Sequence, residues 1–217
     1  MAPSAELTLR GYWRSSATWC VRIALHYKSI PFHYLPVHLV KGGGEQHSDQ
    51  ELKRNPMAQV PTLELPDGTI LTQSLAMIDY LEQLKPTPNL YPSAALDRAR
   101  AIQYAEIINS GIQPLQNLSL LIRVQSLGAD KLAWGQEHIA RGLNAIETHL
   151  QSHAASQFLV GDQVTVADLC LIPQLYNARR FKVDMSALPR LCAVERSCES
   201  LEPFQLAHPN AQTDAQR

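Results

Sequence analysis

Ser15 and Ser16 are the residues of this 217-residue chain whose type and setting best suit chemistry. They follow a strand-like run at residues 7–12 and lead into an apolar-periodic segment, Trp19-Cys20-Val21-Arg22-Ile23-Ala24-Leu25. Small hydroxyls at a helix start sit among unpaired backbone N–H groups and the positive end of the helix dipole, which together favour negative charge. The anion could be a phosphate, a carboxylate or a thiolate. Gln73-Ser74 opens another helical segment, where Ser74 is a good N-cap and the helix end also suits a ligand carboxylate. Val60-Pro61 stands at the entrance of a strand. Its proline is either an ordinary edge feature or a cis-proline turn that aims the Val60 backbone at a ligand. Arg179-Arg180 follows a helical segment, as a solvated C-terminal charge or as a clamp for a substrate carboxylate. Gly42-Gly43-Gly44 matches neither common phosphate-loop pattern and reads as a flexible surface loop. The eight histidines form no paired ligand arrangement, so no metal centre is expected.

The elements that must position these groups divide into two kinds. Through residue 85 strands and helices alternate as β-α-β-α-β-β-α, which implies a mixed sheet with helices packed on it. A helix is expected at 19–28, a strand at 32–37, and a polar helical stretch ending at Asn55. Pro66-Asp67-Gly68 supplies turn chemistry for a hairpin between strands near 62–65 and 69–71. Leu75, Ile78 and Leu81 then recur at helical spacing. Lys85-Pro86-Thr87-Pro88-Asn89 interrupts the pattern with two prolines and reads as a domain linker. Beyond it residues 96–112, 135–152 and 166–177 carry 3.6-residue periodicity, so domains are expected at 1–85 and 91–217, the second all-helical. Thr165-Val166-Ala167-Asp168 has the form of a capping box, with Val164 and Leu169 suited to a hydrophobic staple. The polar tail from His208 onward is expected to fray.

Composition narrows the function. With 19 basic and 20 acidic residues the chain carries no electrostatic footprint for nucleic acid or an anionic membrane. No apolar run approaches the roughly 20 residues of a membrane helix, and residues 1–6 lack the form of a signal peptide. Cys20, Cys170, Cys192 and Cys198 have neither zinc nor Cys-x-x-Cys spacing and read as free thiols. A cytoplasmic protein is the expectation.

Taken together, six segments resemble the zeta class of glutathione transferases, the group that includes maleylacetoacetate isomerase. They are Arg14-Ser15-Ser16-x-x-Trp19-x-Val21-Arg22-Ile23-Ala24-Leu25, Asn55-Pro56-Met57-x-Gln59-Val60-Pro61-Thr62-Leu63, Gln73-Ser74-Leu75-Ala76, Gly111-Ile112-Gln113-Pro114-Leu115-Gln116-Asn117-Leu118-Ser119, Val160-Gly161-Asp162-x-Val164-Thr165-x-Ala167-Asp168-Leu169-Cys170-Leu171 and Arg180-Phe181-Lys182-Val183-Asp184. The resemblance runs from about residue 7 to 209. It implies a thioredoxin-like glutathione-binding domain, an all-helical second domain and usually a homodimer. It further implies glutathione-dependent cis–trans isomerisation of maleylacetoacetate to fumarylacetoacetate, by thiolate addition, rotation and elimination, in tyrosine and phenylalanine breakdown. A maleylpyruvate isomerase or a transferase acting on α-halo acids uses the same nucleophile.

Residue by residue, the resemblance makes Ser15 and Ser16 the thiol-activating pair. Val60-Pro61 matches the turn that pairs with the cysteinyl part of glutathione, Gln73-Ser74 the clamp on its γ-glutamyl end, and Gln46 a further contact. Gln113, Asn117, Leu118 and Ser119 match positions where the second domain or a partner subunit approaches the tripeptide. Arg180 matches the family motif and, with Arg14, is the candidate for holding a diacid's carboxylates. The family usually reads Ser-Ser-Cys, whereas Ala17 stands here in place of that cysteine, and Cys20 occupies a position where arginine is common.

Overall fold

The computed structural model describes residues 6–216; residues 1–5, on which the expectation of no leader falls, and residue 217 lie outside them. The described chain forms two compact units. The first takes the chain to Pro88 and again from Glu202, and the second is Asn89–Leu201. The division thus falls in the proline-rich linker, but the C-terminal segment groups with the first unit and not with the second domain in which 91–217 had placed it.

In the first unit β1 (Leu7–Gly11), α1 (Ser16–Tyr27), β2 (Phe32–Pro36), α2 (Asp49–Arg54), β3 (Thr62–Glu64), β4 (Ile70–Thr72) and α3 (Ser74–Leu84) follow the expected order. The sheet runs β2-β1-β3-β4, with β1 and β2 parallel and the other pairs antiparallel. Parallel neighbours need a crossover, and α1 supplies it. The antiparallel β3–β4 pair closes through a tight turn, in which Gly68 takes a φ of 86° and donates to Leu65 O at 2.9 Å. Asp67 Oδ1 accepts from Thr69 N, and those Thr69 bonds hold its carboxyl below the ordinary range. Along β1, Leu7 and Leu9 are buried while Thr8 and Arg10 are half-buried, the period-2 pattern of a strand with one face on a core. Helix α1 buries every residue from Thr18 to Leu25, packed against α3 and the terminal helix Glu202–Ala207.

Burial on that scale includes two cations, Arg22 and Lys28, both fully enclosed. A buried charge must find acceptors. Lys28 Nζ pairs with Glu82 at 2.6 Å and donates to Lys85 O and Pro88 O, each at 2.8 Å. Arg22 donates to Trp13 O at 2.8 Å and to Ala207 O at 3.1 Å. Ala207 closes the helix Glu202–Ala207, and the tail beyond it corrects the expectation that the chain frays from His208. It forms a turn at Pro209–Ala211, and Asp214 accepts from Trp13 N at 3.0 Å.

The second unit is helical: α4 (Ala95–Asn109), α5 (Leu118–Ser126), α6 (Lys131–Gln151), α7 (Val166–Arg180) and α8 (Pro189–Glu199). Periodicity marked α4, α6 and α7 to within a few residues but not the short α5 and α8. Helix α7 is the core element, buried almost throughout and packed on α4, α6 and α8. Its capping box is present, with Asp168 accepting from Thr165 N at 2.7 Å, Thr165 Oγ1 at 2.9 Å and Leu159 N at 2.8 Å. Burial pushes this carboxyl up to about 6, against the pull of the three donors. A carboxyl raised on folding contributes stability that is full below its unfolded value of 3.8 and is lost as pH rises through about 6. The difference in unfolding free energy between the wild type and Asp168→Asn should therefore shrink between pH 4 and pH 6. Urea titrations across that range measure it, and a difference independent of pH would contradict the shift.

Candidate active site

The sheet register gathers the candidate residues of the first unit at one end. Arg10 pairs with Thr62 and Thr62 with Thr72, so the exit of β1, the start of β3 and the end of β4 lie side by side. Ser15 and Ser16 follow the first of these, Val60-Pro61 precedes the second, and Gln73-Ser74 follows the third.

Ser15 is the N-cap of α1, and Ser16 its first residue. Helix α1 therefore begins three residues before the expected position. A turn with Ser15 N donating to Tyr12 O at 2.9 Å sets the cap, and Ser15 Oγ accepts from Thr18 N at 3.3 Å. That bond uses a lone pair of the hydroxyl and leaves its hydrogen available to donate. One side chain can thus cap the helix and hold an anion at the same time. Ser15, Ser16 and Ala17 are half-buried, whereas Cys20 is 1% exposed and faces the core. Cys20 is not placed to act where the family cysteine would. Arg14 lies over the Trp13 ring at 5.2 Å.

Two features that periodicity does not reveal hold this loop. Gly11 has no side chain because a Cβ there would collide with the buried Thr18 side chain, whose Oγ1 would be 2.8 Å away. Close approach of strand and helix therefore sets where α1 begins. Val37 N also donates to Gly11 O at 2.7 Å, bringing the loop that carries Gln46 beside the β1 exit.

The Val60–Pro61 bond is cis, the second of the two alternatives open from the sequence. Asn55 braces the approach to it, donating from Nδ2 to Gln59 O at 2.8 Å and accepting from Met57 N at 3.1 Å. Gln73, not Ser74, occupies the N-cap position of α3, with φ 70° and no capping bond from its side chain. The reading of Ser74 as the cap is corrected: it is the buried first residue of the helix. The displacement follows from Gln73's left-handed backbone, which turns the chain one residue earlier. Gln46 is 8% exposed, with Nε2 donating to Leu39 O at 3.3 Å and Oε1 buried. Its amide packs under Gly44, where φ is 100° and a Cβ would strike it.

The other candidates stand on the second unit. Gln113 opens the short turn Gln113–Gln116, Asn117 caps α5, and Asn117 Oδ1 accepts from the Ser119 N–H and hydroxyl at 3.0 and 2.9 Å. Leu118 is exposed. The two arginines of α7 separate cleanly. Arg179 makes a bidentate pair with Glu195 of α8, both bonds 2.6 Å, which raises its pKa. Arg180 is exposed and donates to Asn177 Oδ1 at 3.0 Å. Among the described residues no group of histidine, cysteine and carboxylate side chains could hold a metal, and all four cysteines are free.

This glutathione-transferase architecture agrees with the family models. Residues 9–89 match the glutathione S-transferase N-terminal domain and residues 93–194 the C-terminal domain. The chain belongs to the glutathione S-transferase family. Within it, the resemblance to the zeta class holds across nearly the full length. The chain is 45% identical to a maleylacetoacetate isomerase of Mus musculus, covering 95% of this chain and 94% of that one. A probable maleylacetoacetate isomerase of Drosophila melanogaster is 46% identical, with 95% and 89% covered. Among solved structures, a bacterial zeta-class maleylpyruvate isomerase superposes with a TM-score of 0.92 at 37% identity, covering 96% of this chain and 100% of that one. A maleylacetoacetate isomerase from Anaeromyxobacter dehalogenans 2CP-1 with bound glutathione superposes at 0.87 with 43% identity, 97% and 98% covered.

Proposed function

We propose that the protein is a glutathione-dependent cis–trans isomerase that converts maleylacetoacetate to fumarylacetoacetate in tyrosine and phenylalanine breakdown. The observation that carries this reading is the Ser15 hydroxyl at the head of α1, at the same end of the sheet as Val60-Pro61 and Gln73-Ser74. The groups present fit glutathione. A hydroxyl hydrogen at a positive helix end suits a thiolate, and the α3 start, where Gln73 makes no side-chain cap, suits a carboxylate.

Bound glutathione supplies a nucleophilic sulfur for addition to an alkene conjugated with a carbonyl. Ser15 donates to that sulfur and, with the α1 N-terminus, holds it as thiolate; Ser16 is its rival for the role. Gln73 and Ser74 take the γ-glutamyl end, the Val60-Pro61 backbone the cysteinyl part, and Gln46 a further contact. The family resemblance also assigns Gln113, Asn117, Leu118 and Ser119 to the tripeptide and makes the protein a homodimer. Arg180 and Arg14 hold the substrate carboxylates, and fixed cations near the developing enolate lower the barrier. Arg179 leaves this list because Glu195 occupies it.

No helix among the described residues is long and apolar enough to cross a membrane, and we place the protein in the cytoplasm. The match at a TM-score of 0.92 favours maleylpyruvate as the second candidate substrate. Purified protein assayed with glutathione and each diacid separates the two. Tight glutathione binding without turnover of either would instead mark a non-catalytic module on the same fold.

Two variants test the roles. Arg180→Ala should raise the KM for maleylacetoacetate about tenfold or more while changing the Kd of glutathione far less. An equal loss of glutathione affinity would remove Arg180 from the substrate site. Ala17→Cys should alter kcat by less than about tenfold, because the sulfur that reacts is glutathione's own. A rise of about a hundredfold would show that the missing cysteine limits turnover.

A further inference from the structure

The C-terminal segment meets the loop that carries Ser15. Trp13 lies two residues before Ser15, and both polar groups of its backbone are tied down. Its N–H donates to Asp214 Oδ2 at 3.0 Å, and its carbonyl accepts from Arg22 at 2.8 Å. Asp214 Oδ2 also accepts from Tyr34 Oη at 3.4 Å, and the Arg22 guanidinium lies 5.6 Å over the Tyr34 ring. Arg22 itself reaches the C-terminal segment at Ala207, donating to its carbonyl. Burial lowers the Arg22 pKa to about 10 and raises that of Tyr34, so at neutral pH the arginine is charged and the phenol is not. Further along, Gln216 meets His38 Nε2 at 2.8 Å, while His38 Nδ1 accepts from Lys41 N at 2.9 Å. The segment therefore touches both the loop that carries Ser15 and the loop that leads to Gln46.

We propose that Asp214 is a positioning residue for the glutathione site, holding the Trp13 backbone so that the Ser15 hydroxyl meets the sulfur. The inference rests on the reading of Ser15 as the thiol-activating donor. Asp214 Oδ1 and Arg22 Nη1 are both buried and make no hydrogen bond among the described residues. The network thus works through hydrogen bonds to the backbone and to Tyr34, not through a direct Arg22–Asp214 bond. An acceptor oxygen at position 214 is what the geometry requires, and an asparagine can supply one.

The test is a double-mutant cycle on the full-length enzyme, with Ser15→Ala, Asp214→Ala, Asp214→Asn and the Ser15→Ala/Asp214→Ala pair. The readouts are kcat/KM at neutral pH, the ionisation of bound glutathione from its ultraviolet thiolate absorbance, and thermal unfolding. Asp214→Ala should lower kcat/KM about tenfold and move thiol ionisation to higher pH. Asp214→Asn should restore most of both. The double variant should fall no lower than Ser15→Ala by itself, because the two residues act through one hydroxyl. A folded Asp214→Ala with unchanged kinetics and thiol ionisation overturns the proposal, as does an undiminished Asp214 effect in the Ser15→Ala background. If Asp214→Ala unfolds, Asp214→Asn with wild-type stability but lost thiol ionisation also overturns it, whereas retained ionisation supports it. A Ser15→Ala variant that ionises glutathione normally marks failure of the serine reading itself.

Discussion

Replacing Ser15 with alanine is expected to lower kcat/KM at neutral pH by about a hundredfold or more, the usual loss for one fixed donor to a developing or stabilised anion. A thiol near pH 8.5 is only a few per cent ionised at neutrality. Two features of this fold favour its thiolate: the N-terminus of α1 and the Ser15 hydroxyl that caps it. Because the Oγ lone pair accepts from Thr18 N, the hydroxyl hydrogen remains to donate. Alanine removes the donor and leaves only the helix end, so the bound thiol titrates at higher pH. The rising limb of kcat/KM against pH then moves to higher pH, with the deficit largest below neutrality and partly recovered above about pH 8.5.

The same substitution deletes a helix cap worth about 1 kcal/mol, which shifts unfolding by a few degrees in a chain of this size. Ser15→Thr separates the effects, since it retains both the acceptor and the donor. It should keep the wild-type pH profile. A larger loss from Ser16→Ala than from Ser15→Ala would exchange the two roles.

Lys28→Met should destabilise the first unit by about 3–5 kcal/mol, the range for removing one partner of a buried ion pair. Lys28 is fully buried at the C-terminus of α1, where its ammonium serves the Glu82 carboxylate and the carbonyls of Lys85 and Pro88. Methionine fills the volume of the stem but supplies no donor, so the carboxylate loses its cation and two carbonyls lose a partner. Those carbonyls lie in the linker that follows α3, so the damage extends from α1 through α3 to the linker. Urea unfolding should show a lowered midpoint, and Lys28→Met/Glu82→Gln should recover part of the loss by removing the buried carboxylate charge. A loss below about 1 kcal/mol would mean that water solvates this cluster and that the pair is of the weak surface kind.

Much of the architecture is local and was therefore legible in the chain. Alternation at Leu7 and Leu9, the Pro66-Asp67-Gly68 turn and the Thr165–Asp168 box each act within a few residues. The residues proposed to bind glutathione likewise lie in short segments, at the starts of α1, β3 and α3, where residue type and spacing already suggest an anion site. Even there, the one-residue choice between Gln73 and Ser74 as the cap came from the backbone.

What only the tertiary structure decided was which partner each charged group finds. Arg179 and Arg180 are adjacent and chemically equal, yet a helix turns about 100° per residue, so one reaches Glu195 and the other Asn177. Nothing in the periodicity marked Arg22 or Lys28 as buried, and the tail from His208 read as a polar segment that frays. Several of their partners lie far away in sequence, Arg22 and Ala207 being 185 residues apart and Trp13 and Asp214 201. Hydrophobic periodicity reports which face of a helix is apolar. It carries no information about a distant carbonyl or carboxylate that makes burying a cation favourable, and that pairing fixes the loop on which Ser15 stands.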